Sequence, residues 1–158
     1  MLVGNPDNFA IWCDAVDLWS TDHFKNGCFA YFVGGELLWS LKSTIAVDLN
    51  LLSGLNCLKH SVEDVRLFNL PTSSAYSELV ARAFPPMDSD AADSDYSHLV
   101  SIGSLLDDDN NVFLVESGEQ AKLIFGRRSE MPTPREVILT RGEFQSVVHD
   151  LIAKSKNP

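Results

Sequence analysis

The chain has 158 residues, of which 45% are hydrophobic and only 22% charged, so it can bury a core and is not globally disordered. Its 22 acidic residues outnumber 12 basic ones, and the formal net charge of −10 excludes nucleic acid and anionic membranes as favoured partners. We expect one domain spanning residues 1–158, with a neutral or basic partner.

The negative charge is concentrated in the middle of the chain. Residues 1–82 contain nine acids and five bases, residues 83–121 contain nine acids and no base, and residues 122–158 contain four acids and seven bases. The three parts therefore carry −4, −9 and +3. Residues 83–121, called the base-free segment below, make up a quarter of the chain and hold nearly all of its excess negative charge.

The N-terminal part predicts a three-stranded antiparallel meander. Residues 9–16 alternate with period two, and the apolar runs 28–33 and 36–41 flank Gly34-Gly35, a pair typical of a tight hairpin. On the third strand Leu37, Trp39 and Leu41 share one face. We expect Trp39 and Trp12 in the core, whereas Trp19 at a strand end is a candidate exposed anchor.

Two helices are predicted next. Leu51, Leu55, Leu58 and Val62 recur at helical spacing after Ser43, with Asp48 as a candidate N-cap. Residues 73–84 carry a second apolar stripe, which the Pro85-Pro86 pair ends. Residues 85–97 are rich in Pro, Asp and Ser without apolar periodicity, so we expect an acidic, solvated loop there.

A second meander follows the acidic loop. We predict strands over residues 99–106, with a bulge at Gly103, and over residues 112–116, 120–125 and 136–140. Residues 107–111 read as a polar turn and residues 126–134 as a basic loop.

The C-terminal residues predict an amphipathic helix. Thr140 and Glu143 have capping-box spacing, and Phe144, Val147, Val148, Leu151 and Ile152 follow at helical intervals. The expected fold class is thus α+β: antiparallel sheet from two β-meanders, two central helices, and a C-terminal amphipathic helix packed on the sheet.

The sequence contains no recognisable catalytic or metal-binding motif. Its serines form no nucleophile elbow, and its four histidines form no paired-ligand motif. Calcium-loop frames that begin at Asp88 or Asp107 place Asp93 or Val112 where a glycine is required. We therefore predict no enzyme activity, no metal and no cofactor.

The cysteines and the N-terminus indicate a compartment. Cys13, Cys28 and Cys57 are widely spaced, without the pattern of a disulfide framework or zinc site. The N-terminal residues lack the features of a secretory signal, and no apolar run could span a bilayer. We expect a cytoplasmic protein that does not associate with membranes.

Several short segments together resemble one protein family. These segments are Gly4-Asn-Pro6, Phe9-Ala-Ile-Trp12, Trp19, Phe24-Lys-Asn-Gly27, Gly34-Gly35-Glu36-Leu37, Gly103-Ser-Leu-Leu-Asp107, Val112-Phe-Leu-Val-Glu116 and Gly142-Glu-Phe144. They are similar to the immunity protein 42 family of bacterial polymorphic toxin systems. The resemblance implies inhibition of a secreted toxin by binding to its C-terminal effector domain, and it assigns no contact residue.

Combined with the charge, the resemblance leads to a specific hypothesis. The chain would neutralise one cognate toxin through a one-to-one acidic interface, and a basic toxin such as a nuclease would be captured fastest. The candidate contacts all come from the base-free segment: Asp88, Asp90, Asp93, Asp95, Asp107, Asp108, Asp109 and Glu116. The alternatives are a non-catalytic adaptor for another basic protein and a merely solubilising loop. The sequence does not define the oligomeric state.

Overall fold

The computed structural model describes residues 1–88, 93–128 and 133–157, which form seven strands and five α-helices. The strands are β1 (Leu2–Asn5), β2 (Phe9–Ala15), β3 (Asn26–Val33), β4 (Glu36–Thr44), β5 (Asn110–Ser117), β6 (Gln120–Arg127) and β7 (Arg135–Thr140). The helices are α1 (Ile45–Ser53), α2 (Val65–Asn69), α3 (Thr72–Ala83), α4 (Gly103–Asp107) and α5 (Glu143–Lys156). The α+β class is confirmed. Each meander forms its own antiparallel sheet, in the order β1-β2-β3-β4 and β5-β6-β7.

Strands β5 and β6 of the three-stranded sheet are buried on both faces. Val112 and Leu114 of β5 belong to a large apolar cluster shared with the four-stranded sheet, α1 and α5. Phe113 and Val115, which point the other way, belong to a smaller cluster with α2 and α3. Because successive strand residues face opposite sides and both sides are covered, β5 is buried at nearly every position.

An aromatic group joins the two sheets. Phe9 of β2 lies 4.7 Å from Phe144 of α5 and 5.3 Å from Tyr31 of β3, measured between ring centroids. The fully buried Tyr31 hydroxyl donates a 2.7 Å hydrogen bond to the carbonyl of Val100. The Val100 amide in turn donates to the carbonyl of Val112 in β5 at 2.8 Å.

The C-terminal helix is confirmed. Its predicted apolar stripe faces the core, since Phe144, Val148 and Leu151 have no exposed surface. The capping box forms only in part. The Glu143 carboxylate accepts a 3.3 Å bond from the Thr140 amide, but no side chain caps the helix and Gly142 occupies the N-cap position.

The predicted core face of β4 is wrong. Leu37, Trp39 and Leu41 are 44%, 51% and 49% exposed, while Leu38 and Ser40 point inward. Trp12 is half-buried on the same outward face as Trp39, because both pair with Ala30 of β3. Period-two alternation identifies two faces of a strand, but it does not say which one the core covers when both are apolar. Trp19 is exposed as expected.

The first predicted helix is shorter than its periodicity indicates. Helix α1 ends at Ser53 before Gly54, and a 3-10 turn over Asn56–Leu58 follows. Asp48 does not cap this helix. Its buried carboxylate accepts hydrogen bonds from the hydroxyls of Ser43 at 2.5 Å and Ser104 at 2.6 Å, and so connects α1 to β4 and α4.

The strand predicted over residues 99–106 is also wrong. Leu99 makes one isolated bridge with Phe113, and residues 103–107 form α4. The buried Ile102 and Leu105 have helical spacing that the sequence interpretation missed. Gly103 is not a bulge: a Cβ atom there would lie 2.9 Å from the Asp48 carboxylate, so the glycine permits close packing of α4 against α1. Strand β1 and helix α2 were not predicted.

Replacing Tyr31 by Phe should lower the free energy of unfolding by about 1–2 kcal/mol, because the buried Val100 carbonyl loses its hydrogen-bond donor. Urea denaturation of the purified protein measures this change. Tyr96→Phe is the matched control, since Tyr96 is 54% exposed and should tolerate the same substitution. Equal stability of both variants would contradict the proposed importance of this hydrogen bond.

Candidate partner-binding surface

The candidate acidic contacts do not share one environment. Asp88, Asp93, Asp95 and Asp107 are exposed, Asp108 and Asp109 are half-buried, and Glu116 is buried. Asp90 lies outside the described residues. The described residues on both sides of it, 85–88 and 93–97, form no helix or strand, in agreement with the predicted acidic loop.

Asp95 is held in a local turn. Its carboxylate accepts a 2.9 Å hydrogen bond from the amide of Ser97, and its own amide donates to the carbonyl of Arg82 in α3 at 2.8 Å. Hydrogen bonds from the Ser97 hydroxyl and amide lower the pKa of Asp95. This carboxylate is therefore ionised at neutral pH and fixed in position while it faces solvent.

The three consecutive aspartates at the end of α4 differ in the charge they offer to a partner. The carboxylate of Asp108 accepts from the ammonium group of Lys42 at 3.1 Å. A hydrogen bond from the Ser40 hydroxyl is the main cause that lowers the pKa of Asp108, and the Lys42 bond adds to it. Asp109 has a left-handed backbone with φ 62°. Asp107 is the exposed member of the three.

Glu116 belongs to the interior, which corrects its assignment as a surface contact. It is 3% exposed, and its carboxylate accepts a 3.0 Å bond from the amide of Val62. Gln145 of α5 and Arg141 approach the other carboxylate oxygen at 3.4 Å and 3.5 Å. Since β5 is covered on both faces, a carboxylate in that strand must be paired inside the protein. Glu116 thus joins β5 to the segment after α1 and to α5.

An apolar groove lies next to α4. The groove has a volume of about 650 Å³, between the end of α1, the chain that leads into α4, and α4 itself. Its apolar lining is contributed by Leu51, Leu55, Tyr96, Leu99, Ile102 and Leu106. Leu51 and Tyr96 are 44% and 54% exposed, so two large side chains are available at its rim.

Two exposed acidic residues are neighbours of the groove lining in the sequence. Asp95 immediately precedes the lining residue Tyr96, and Asp107 immediately follows Leu106 and lines an adjacent cavity with Lys42. The described lining of the groove contains no Lys or Arg, and most of it comes from the base-free segment. An apolar groove with acidic residues next to it in the chain suits a basic partner with an apolar side chain at its centre. We call the groove together with Asp95 and Asp107 the acid-rimmed groove.

Two cysteines are buried and protonated, and the described residues contain no candidate metal cluster. Burial raises the pKa of Cys13, and it raises that of Cys57 to about 12, so both remain protonated at neutral pH. No group of three or more His, Cys, Asp or Glu side chains in the described ranges could hold a metal ion. Within those same ranges, no helix is long and apolar enough to cross a membrane.

Comparison with known proteins identifies the relatives of this chain. The family model described as Immunity protein 42 matches residues 1–154. Among solved structures, the chain is similar to the crystal structure of CdiI from Burkholderia dolosa AUO158, with 55% identity and a TM-score of 0.94. That match covers 98% of this chain and 99% of the other. A search of curated proteins found no match.

These two matches define the class: a toxin-neutralising immunity protein, whose partner is a cognate toxin. The chain belongs to the immunity protein 42 family. The resemblance seen in the sequence is thereby confirmed. The groove itself was not predicted, because the residues that line it are far apart in the sequence and meet only in the folded protein.

Replacing Glu116 by Ala should lower the free energy of unfolding by about 2–3 kcal/mol, because the Val62 amide and the Arg141 side chain lose a buried charged partner. Glu119→Ala, at an exposed position in the β5–β6 turn, should change the free energy of unfolding by less than about 0.5 kcal/mol. Chemical denaturation compares the two. If Glu116→Ala left the stability unchanged but slowed association with the toxin, Glu116 would be an interface residue after all.

Proposed function

We propose that the chain neutralises its cognate toxin in the bacterial cytoplasm by forming a one-to-one complex at the acid-rimmed groove. The observation that carries this proposal is the groove itself, whose lining includes the exposed Leu51 and Tyr96. Its lining residues Tyr96 and Leu106 are respectively preceded and followed in the chain by the exposed Asp95 and Asp107. An inhibitor that acts by binding needs complementarity to its target and no catalytic group. Membership of the immunity protein 42 family supports the same conclusion.

The two components of the groove would make different contributions. Burial of apolar side chains such as Leu51 supplies affinity, at roughly 25 cal/mol per Å² removed from water. The carboxylates attract a basic partner over longer distances and increase the rate of association, an effect that salt weakens. Because Asp95 is held by Ser97 and Arg82, its charge is preorganised for this role.

We further propose that the toxin is basic, as the nucleic-acid-binding surface of a nuclease must be. The base-free segment carries −9, which favours such a surface and opposes an acidic one. A partner held at the acid-rimmed groove would present the basic surface that otherwise attracts phosphates. Inhibition would then follow from occupation of that surface.

Co-expression with the toxin domain encoded beside this gene tests the proposal. The wild-type chain should restore growth, whereas Leu51→Lys should protect poorly because it introduces a cation into the groove that receives a basic toxin. Leu18→Lys is the control, since Leu18 is 96% exposed on a 3-10 turn outside the groove. Continued killing by the toxin at matched expression of the wild-type chain would refute the proposed function.

Charge steering is tested by association kinetics with the purified toxin domain. Changing Asp93, Asp95 and Asp107 to Asn removes three exposed charges. The Asn side chain at residue 95 still offers an oxygen that accepts the hydrogen bond from the Ser97 amide. Association should slow by about tenfold at low salt and lose most of its salt dependence. The control changes Asp7, Asp17 and Asp22, which are exposed and outside the base-free segment. Equal rates for the two triple variants would show that overall charge, not the groove rim, steers the toxin.

A further inference from the structure

The outer face of the four-stranded sheet carries an apolar area that crosses all four strands, with Asp14 of β2, which is paired with the N-terminal ammonium group, at its edge. The register aligns two cross-strand rows on this face, Leu2-Trp12-Ala30-Trp39 and Gly4-Ala10-Phe32-Leu37. Neither row contains a polar side chain. An antiparallel sheet with one face in water normally alternates apolar and polar residues, and the inner face here is apolar as well. We call these two rows, with Leu41, the outer sheet face.

This face is accessible in the isolated chain. Leu2, Leu37, Trp39 and Leu41 are between 44% and 51% exposed, and Trp12 and Phe32 are half-buried. Ala30 lies between Trp12 and Trp39 and has no exposed surface, so the large side chains on either side of it form a continuous patch. Contiguous apolar patches with aromatic residues at the centre are typical of protein interfaces.

The charges at the rim of the outer sheet face are paired. Lys42 forms an ion pair with Asp108 at 3.1 Å, and Arg135 forms one with Glu36. All four residues, together with Leu37, Trp39 and Leu41, line a shallow cavity along β4. Both signs of charge are therefore present next to the apolar centre, in contrast to the acid-rimmed groove.

We propose that the outer sheet face binds a second copy of this chain in a symmetric dimer. A two-fold interface must be complementary to itself, and a face with an apolar centre and both signs of charge at its rim meets that condition. Copies that each carry −10 repel one another, so self-association requires a surface where charge is locally balanced. The base-free segment alone cannot provide such a surface, because it carries only acids; its Asp108 is balanced at the outer sheet face by Lys42 of β4.

The size of the face sets the expected strength of the dimer. Neighbouring strands lie about 4.8 Å apart, and each residue extends a strand by about 3.3 Å. A face four strands wide and about five residues long therefore has a projected area of roughly 300 Å². A stable interface of standard size buries about 800 Å² on each partner, so the rim must contribute and the dimer should dissociate on dilution. The proposal predicts a reversible monomer–dimer equilibrium that leaves the acid-rimmed groove of each copy free.

Sedimentation equilibrium of the purified full chain over a wide concentration range tests the proposal. The wild type should show a concentration-dependent dimer, and Trp39→Lys should raise its dissociation constant by about tenfold or more, because each copy would bring a cation into the apolar interface. Leu37→Lys is a second variant on the same face. Trp19→Lys is the control, because Trp19 is 46% exposed but lies outside the two rows. Circular dichroism verifies that each variant is folded.

Each other outcome would overturn the dimer. A wild type that remains monomeric throughout excludes a second copy as the occupant, and folded Trp39→Lys and Leu37→Lys variants that dimerise normally place the contact elsewhere. If Trp39→Lys instead abolishes toxin binding by a monomeric wild type, the toxin occupies this face. Growth rescue is measured separately, so failure of the proposed function leaves the dimer result interpretable.

Discussion

The position of the acid-rimmed groove depends on the hydrogen bond from Tyr31 to Val100. This bond attaches β3 of the four-stranded sheet to the segment that approaches α4, and Val100 is bonded in turn to β5. The neighbouring residues Leu99 and Ile102 line the groove. Because Tyr31 is fully buried among Phe9, Phe29 and Phe144, its hydroxyl has little freedom to find another acceptor. The contact that joins the two sheets therefore also fixes one wall of the candidate site.

The sequence predicts best those elements whose two faces differ. Helix α5 has one apolar stripe and one polar face, and its pattern correctly predicted both its existence and its buried residues. Strand β4 has apolar residues on both faces, so alternation alone could not decide between Leu38 and Trp39 as core residues. Helix α4 was missed for a different reason: its buried Leu105 lies three residues after the buried N-cap residue Ile102, which is helical spacing, but the apolar run is too short to distinguish a helix from a strand.

The candidate site was only partly predictable, because net charge counted along a sequence contains no information about burial. The base-free segment includes Asp107, which faces solvent, and Glu116, which pairs with Arg141 and the Val62 amide inside the protein. The segment also supplies apolar walls that no charge count would identify. Their partner across the groove is α1, about 50 residues earlier in the sequence. Tertiary packing brings these parts together, so a local pattern cannot reveal the groove.

Charge distinguishes the two proposed interfaces of this immunity protein. At the acid-rimmed groove, the exposed carboxylates of Asp95 and Asp107 would favour a basic toxin and disfavour a second acidic chain. At the outer sheet face, Lys42 and Arg135 neutralise Asp108 and Glu36, so self-repulsion is lowest where apolar side chains are exposed. A symmetric dimer formed there would present two separate acidic grooves on one particle of charge −20. One-to-one neutralisation would then be preserved for each copy, while the attraction exerted on a basic toxin would increase.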